Sequence, residues 1–417
     1  MPEAAEVVLR AKRSVATGFF LAGVTVGTLA PRLAEVKINT SASDSSYGTA
    51  FAINSIGALV GFLVGAKAAQ SVGTKKIASI IFYLMLIANF SFSLATNAVM
   101  LALVAISSGV VYSMFNVNMN SQGVLVEQRL GRSFMPRAHA AWSLGSLVAG
   151  LASAAVAPYL SVMMTLAIAD IFCAIVWLFM SRGLMPHQYD DQPKNDSSQL
   201  PHSKRIPSTT FLFLLVLALG QSISMLAEGA VGDWSSVLLH EDLGISIGPN
   251  GYAFVAFSVM HLLTRYFMPR FIDRSGLHRV VRIVASIGVT GFIAFHLLAL
   301  SLRDQNLNWV LICSCIAYAF LAFGLGVMVP AFATAAGGII GLPSARALMV
   351  LGVAGALILW IGRTLLSFLA ENYSLPFAIT FFAVLAYGSV YLAKFLDPKS
   401  SESALPKFST GQRDDLV

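Results

Sequence analysis

Charge is the scarcest property of this sequence. Asp, Glu, Lys and Arg make up 11% of its 417 residues and apolar residues 57%, against about 25% and roughly 45–50% in an ordinary soluble domain. So few charges could not solvate the surface of a globular chain, which excludes a water-soluble protein. Cysteine is scarce too. Cys173, Cys313 and Cys315 all lie inside apolar runs, and the last two, at i and i+2, face different sides of a helix, so no disulfide or metal site is expected. No GxxxxGK[ST] phosphate loop, HExxH or paired Cys/His spacing occurs, so neither an ATP motor nor a metalloenzyme is expected. The expectation is a non-enzyme with no cofactor.

What the chain has instead is a succession of apolar runs, each near the roughly 20 residues that an α-helix needs to cross a bilayer. Runs and breakers predict twelve spans, near 14–36, 46–70, 76–96, 98–126, 137–158, 160–181, 209–239, 249–270, 279–301, 307–333, 344–370 and 375–396. The segment RGLMPHQYDDQPKNDSSQLPHSKRIPS, from Arg182 to Ser208, is polar and aperiodic and reads as a solvated linker. The predicted layout is therefore a six-helix bundle over 1–181, a linker over 182–208, a second six-helix bundle over 209–396 and a tail over 397–417. Arg10, Lys12 and Arg13 precede an apolar run longer than a signal-peptide core with no A-x-A site after it, so a retained first span is expected.

The net charge of +7 is an orientation signal rather than a nucleic-acid footprint. Arg10, Lys12, Arg13, Lys75, Lys76, Arg129, Arg132, Arg137, Arg270, Arg274, Arg279, Arg282 and Arg346 fall in even-numbered connections or at the ends, with the basic residues of the linker and tail. On the other side lie Arg32, Lys37 and Arg303. The positive-inside rule then places both termini and the linker in the cytoplasm.

The halves also repeat. QSVGTKK, from Gln70 to Lys76, is echoed by DRSGLHR, from Asp273 to Arg279, with Gly73 matching Gly276 at an offset of 203 residues. These loops, the twelve spans and the long linker resemble the major facilitator superfamily, whose loop signature is roughly G-x-x-x-D-R/K-x-G-x-R/K-R/K. The second copy keeps Asp273, Arg274, Gly276, His278 and Arg279. The first keeps Gly73, Lys75 and Lys76 but has Gln70 and Ser71 at the acidic and basic positions. A narrower likeness is to the fucose-permease-like sugar transporters and their uncharacterised bacterial inner-membrane relatives. It rests on NVNMNSQGVLVE (Asn116 to Glu127), RAHAAWSLG (Arg137 to Gly145) and AEGAVGDWS (Ala227 to Ser235).

The resemblance implies an all-α membrane protein, twelve transmembrane helices in two pseudo-symmetric six-helix bundles, working by alternating access about a midplane site. The fucose-permease-like proton symporters have an acid at the position matching Asn116, where it is thought to carry the coupling proton. An amide cannot titrate, so a proton carrier here must lie elsewhere.

Polar residues inside spans are costly unless used. Ser113, Asn116, Asn120, Gly123 and Glu127 share one face of the fourth span, and the Asn amides suit a hydroxyl-rich solute or, alternatively, interhelical packing. His139 and Trp142 form a second face, with Trp142 able to stack on a ring and His139 placed as a proton relay or a cap. On the seventh span Gln221 and Glu228 share a face. The substrate-binding candidates are thus Asn116, Asn120, His139, Trp142, Gln221 and Glu228, with Glu228 and His139 as proton-coupling candidates. Gly73, Lys75, Lys76, Asp273, Arg274, Gly276 and Arg279 form the gate loops. Glu127, Arg129, Arg132 and Arg137 could form a gate ion pair or a solvated cluster.

Arg363, deep in the eleventh span, requires an acid, and Glu228 is the expected partner, with Asp233 the alternative. Trp234 reads as an interface anchor, Arg265 as a residue that snorkels to the cytoplasmic face or pairs with the loop signature, and His296 as a packing histidine.

The expected function is secondary active transport of a small polar solute, sugar-like or another small metabolite, across the cytoplasmic membrane, coupled to a proton or other ion. The expected partners are solute, ion and lipid bilayer, with no nucleic acid, and a monomer. An exporter of amphiphilic compounds and a non-transporting sensor or scaffold of the same fold are the alternatives.

Overall fold

In a medium without water every backbone amide must be paired within the chain, and a helix does this locally. The computed structural model describes residues 2–131, 134–187, 206–337, 339 and 344–396; most of the linker and the whole tail lie outside them, as does Arg132. The described residues form helices α1 (Pro2–Leu29), α2 (Leu33–Thr40), α3 (Asp44–Val72), α4 (Thr74–Ser91), α5 (Ala98–Leu130), α6 (Met135–Val156) and α7 (Val162–Met180). After the linker come α8 (Ser208–Val237), α9 (Tyr252–Ser275), α10 (Leu277–Leu302), α11 (Leu307–Leu325), α12 (Met328–Gly337), α13 (Ser344–Asn372) and α14 (Leu375–Leu392).

Two crossings are interrupted. The first breaks at a 3₁₀ turn, Ala30–Arg32, and the tenth between α11 and α12. With each interrupted pair taken as one, the helices match the twelve expected spans. Eleven are long and apolar enough to cross a membrane. The twelfth, α9, has the length at 24 residues but carries His261, Arg265, Arg270, Asp273 and Arg274, and those charges lower its hydropathy. Large apolar side chains such as Leu63, Val99, Ile168, Phe179, Leu212 and Phe368 point outward, as a lipid-facing surface requires.

The end of the bundle at which α1 begins and α14 finishes is termed the near end, and the opposite end the far end. Five of the helices that start at the far end carry side-chain caps, α9 with Gly251 at its N-cap being the exception. Ser43, Asn97, Ser161, Asn306 and Ser374 each accept from a backbone N–H of the first turn, which satisfies donors that the helix itself leaves open.

Within the first bundle α1 and α6 touch backbone to backbone. A methyl group on Gly23 would run into Trp142 O, one on Gly27 into Ser146 O, and one on Gly145 into Phe20 O. Without hydrophobic driving force between helices in lipid, such small-residue contacts supply the packing.

The repeat seen in the sequence has a backbone counterpart. Gly73 (φ 89°, ψ 145°) ends α3 and Gly276 (φ 83°, ψ 145°) ends α9, a conformation that L side chains adopt only at a cost of about 1–3 kcal/mol. Each N–H bonds back into the preceding helix, to Ala69 O and Ile272 O, at 2.9 Å in both. Gly73 has a second constraint, because His187 Nδ1 lies 2.7 Å from where its Cβ would be, whereas at Gly276 the nearest atom, His278 Nδ1, is 4.0 Å away. Alanine at either position is expected to lower the melting temperature of purified protein, with Gly73→Ala the more damaging. Equal melting of wild type and Gly73→Ala would contradict this.

The two bundles meet in the far half of the molecule. Ser45 N donates to Glu371 Oε2 (2.8 Å), Tyr47 Oη to Asp233 O (2.6 Å), Ser236 Oγ to Ala30 O (3.1 Å) and Ser367 Oγ to Ser45 O (2.9 Å). Lys37 bridges Asp44 (2.6 Å) and, across the bundles, Glu241. No hydrogen bond or ion pair between described residues joins the bundles at the near end. The polar contacts between described residues of the two bundles thus gather at the far end, and we read the space between the bundles toward the near end as a cleft.

Candidate functional site

The cleft walls carry the polar residues that the apolar pattern isolates. On α5, Asn116 and Asn120 are half-exposed, and Asn120 Nδ2 donates both to Asn116 Oδ1 (2.7 Å) and to Asn116 O (2.8 Å). That pairing leaves one amide N–H₂ and one amide carbonyl for a ligand. Asn118, between them in sequence, is fully buried and bonds to Met114 O (2.8 Å) and Gly65 O (3.4 Å), so it packs helices rather than facing the cleft. The neighbouring α6 adds Trp142, whose Nε1 donates to Tyr112 Oη (2.9 Å). It also adds His139, exposed, with its ring edge-on to Phe19 at 4.9 Å between centroids.

The opposite wall is charged. Glu228 on α8 lies with Oε1 3.4 Å from His261 Nε2 and Oε2 3.8 Å from Arg265 Nη2. His261 and Arg265 are one turn apart on α9, which aims both at the same carboxylate. His261 stacks on Phe257 at 5.2 Å. Arg265 does not reach for the near surface as expected. Its Nε donates to Gly326 O (3.3 Å) at the break between α11 and α12, a carbonyl left without its helical donor because Pro330 has no N–H. Gln221 is half-exposed and makes no hydrogen bond to another described residue.

The expected Glu228–Arg363 pair does not form. Arg363 Nη2 meets Asp233 Oδ2 at 3.0 Å, and its Nη1 donates to Phe51 O (3.0 Å) and Ser55 Oγ (3.2 Å) on α3 of the other bundle. Glu228 is turned to α9, which supplies two nitrogens of its own. Trp234 is also not an interface anchor: it is 3% exposed and packs edge-on against Tyr47 at 4.8 Å. Among the described residues Glu127 has hydrogen-bond partners of another kind than the expected gate ion pair, and Arg132 lies outside them. Glu127 accepts from the N–H groups of Phe134 (2.6 Å) and Met135 (2.9 Å) and so caps α6. His296 is buried and stacked on Phe292 at 5.3 Å.

Of the gate-loop residues, Lys75 Nζ donates to Arg182 O (2.7 Å), Gly73 carries the ring of His187, and Lys76, Arg274 and Arg279 are exposed. The side chain of Asp273 lies outside the described residues.

Two groups were missed in the sequence. Asp170, in the apolar run LAIADIFCAIVW, is 7% exposed and accepts from Asn89 Nδ2 at 3.0 Å; an acid centred in an apolar span is a signal that composition alone offers. Gln122 is fully buried, donating to Thr74 Oγ1 (2.7 Å) and Met185 O (3.0 Å) and accepting from Met185 N (2.8 Å). Nothing local distinguished it from the asparagines beside it.

Residues 15–357 match the family model of the Major Facilitator Superfamily. An uncharacterized transporter, y4wD, of Sinorhizobium fredii is 26% identical over 288 residues, covering 67% of this chain and 73% of the relative. Among solved structures, the D-xylose-proton symporter superimposes with a TM-score of 0.69 at 14% identity, covering 93% of this chain and 97% of the other. The nucleoside transporter NupG does so with 0.67 at 15% identity, covering 94% and 98%. At these identities the structural likeness speaks for the fold alone.

Proposed function

The chain belongs to the major facilitator superfamily, and from that premise we propose that it moves a small polar solute across the cytoplasmic membrane by alternating access, drawing on a proton gradient. What supports the reading is the cleft, in which neutral amides and aromatic rings of one bundle face a carboxylate, an imidazole and a guanidinium of the other. With the basic residues of the connections at the near end, the positive-inside rule puts that end in the cytoplasm, so in this reading the cleft faces inward. Rocking of the 1–181 and 209–396 bundles about the far contacts would expose the same residues to the other side.

Asn116, Asn120, Trp142 and Gln221 bind the solute in this reading. Glu228 is the proton group, since the amide at 116 cannot serve. His261, rather than His139 alone, is the nearest base, and the pair at 3.4 Å gives the proton two adjacent sites.

The test is uptake into proteoliposomes with an imposed pH gradient. Wild type should accumulate solute, and Glu228→Gln should lose gradient-driven accumulation by at least about tenfold, one pH unit of drive being worth about 1.4 kcal/mol. Solute exchange without a gradient should persist. Unchanged gradient-driven accumulation in Glu228→Gln would remove it as the proton group.

A further inference from the structure

Arg265 is incompletely used. A guanidinium has five N–H donors in a planar fork, and here only Nε makes a hydrogen bond to another described residue, the one to Gly326 O. Nη2 stands 3.8 Å from Glu228, beyond hydrogen-bond distance, and the side chain is 31% exposed. Both terminal nitrogens are therefore open on the edge of the fork away from the anchoring carbonyl, and that anchor fixes the plane of the group. The surroundings add to the demand for an anion. His139 across the cleft and His261 beside it are nitrogen bases, and Asn116, Asn120 and Gln221 are neutral. Glu228 is the one acid among these cleft residues, and it is shared with His261. The next ion pair along α8, Asp233 with Arg363 at 3.0 Å, is tied to α3 by the hydrogen bonds of Arg363 Nη1.

A neutral sugar would leave this cation with a loose partner in a poorly solvated place. A carboxylate would accept from both terminal nitrogens along the open edge of the fork, a bidentate geometry in which a guanidinium binds strongly. We propose that the transported solute carries a carboxylate group and that Arg265 receives it, with the hydroxyl or other polar end toward Asn116, Asn120 and Trp142. The inference rests on the transport reading above and narrows it to small organic acids, sugar acids included. When the solute anion enters, Arg265 gives up Glu228, and one proton taken from the same side onto the Glu228–His261 pair keeps the site's charge unchanged. Anion and proton then cross together without net charge.

The experiment compares acids with their neutral counterparts on purified full-length protein in nanodiscs, by calorimetric titration with D-galacturonate against D-galactose, D-gluconate against D-sorbitol, and lactate against propane-1,2-diol. At least one acid should bind on the order of 100-fold tighter than its neutral counterpart. Arg265→Gln should lose that preference, and Arg265→Lys, which keeps the charge but not the fork, should retain part of it. Melting of the unliganded variants shows whether they are folded. In proteoliposomes, uptake of the bound acid should respond to a pH gradient and not to an imposed membrane potential.

Neutral compounds binding as tightly as the acids, no acid binding at all, or full acid affinity in folded Arg265→Gln would each overturn the proposal. Tight, Arg265-dependent acid binding with no flux of any solute would instead uphold the carboxylate site and sink the transport reading. Flux of a neutral solute alone would do the reverse.

Discussion

Replacing Arg363 with leucine should destabilise the protein by about 3–5 kcal/mol, the range for stranding one member of a buried ion pair. Asp233 has Arg363 as its ion-pair partner at 3.0 Å, and the two side chains are 15% and 19% exposed. The loss also severs the two hydrogen bonds from Arg363 to α3, so it loosens the far-end contacts between the bundles as well as the second bundle. Two measurements separate these effects. Thermal melting reports the stranded charge, and a double variant, Arg363→Leu with Asp233→Leu, should recover most of the stability because no charge is left unpaired. A cysteine placed at Ser367, which bonds to Ser45 O across the bundles, should become reactive from the far side in both variants. A double variant no more stable than the single one would show that the pair does not carry the effect.

Gln122→Leu is expected to cost about 2–6 kcal/mol, because burying the N–H and C=O of Met185 without partners costs about 1–3 kcal/mol each. The side chain is the tie between α5 and the segment that leaves α7, where Leu184 and Met185 are 1% exposed and His187 rests on Gly73. Freeing that segment should speed proteolysis of the linker under native conditions as well as lower the melting temperature. A Gln122→Leu protein that melts and is cleaved like wild type would show that the tie carries no weight.

The sequence and the structure agree most where one dimension suffices. Apolar run length sets the spans, and Gly73 and Gly276 mark two turns whose dihedral angles nearly coincide. Agreement is weakest where a side chain must choose among neighbours. Spacing along α13 gives the depth of Arg363 but not the direction in which it points, so Asp233 and Glu228 were both open to it, and packing against α3 decided between them. The same limit hid Arg265. A basic residue near the end of a span usually reaches for the surface, but the carbonyl of Gly326, left without its helical donor because Pro330 has no N–H, holds it in the interior. Glu127 looked like one more charge in a cluster because the turn that brings the N–H groups of Phe134 and Met135 over it is a matter of backbone shape.

The backbone contact between α1 and α6 has a mechanical side. Helices whose glycines leave no gap cannot slide past one another without lifting apart, so the pair behaves as a stiff beam. Its fulcrum lies where α6 meets the second bundle, with Phe254 against Gly150 and Gly251 against Ala154. From Ala154 to His139 the beam runs fifteen residues, about 22 Å at 1.5 Å each. A tilt of about 10° at that fulcrum would therefore swing His139 by roughly 4 Å, close to the thickness of a small solute, with no helix bending.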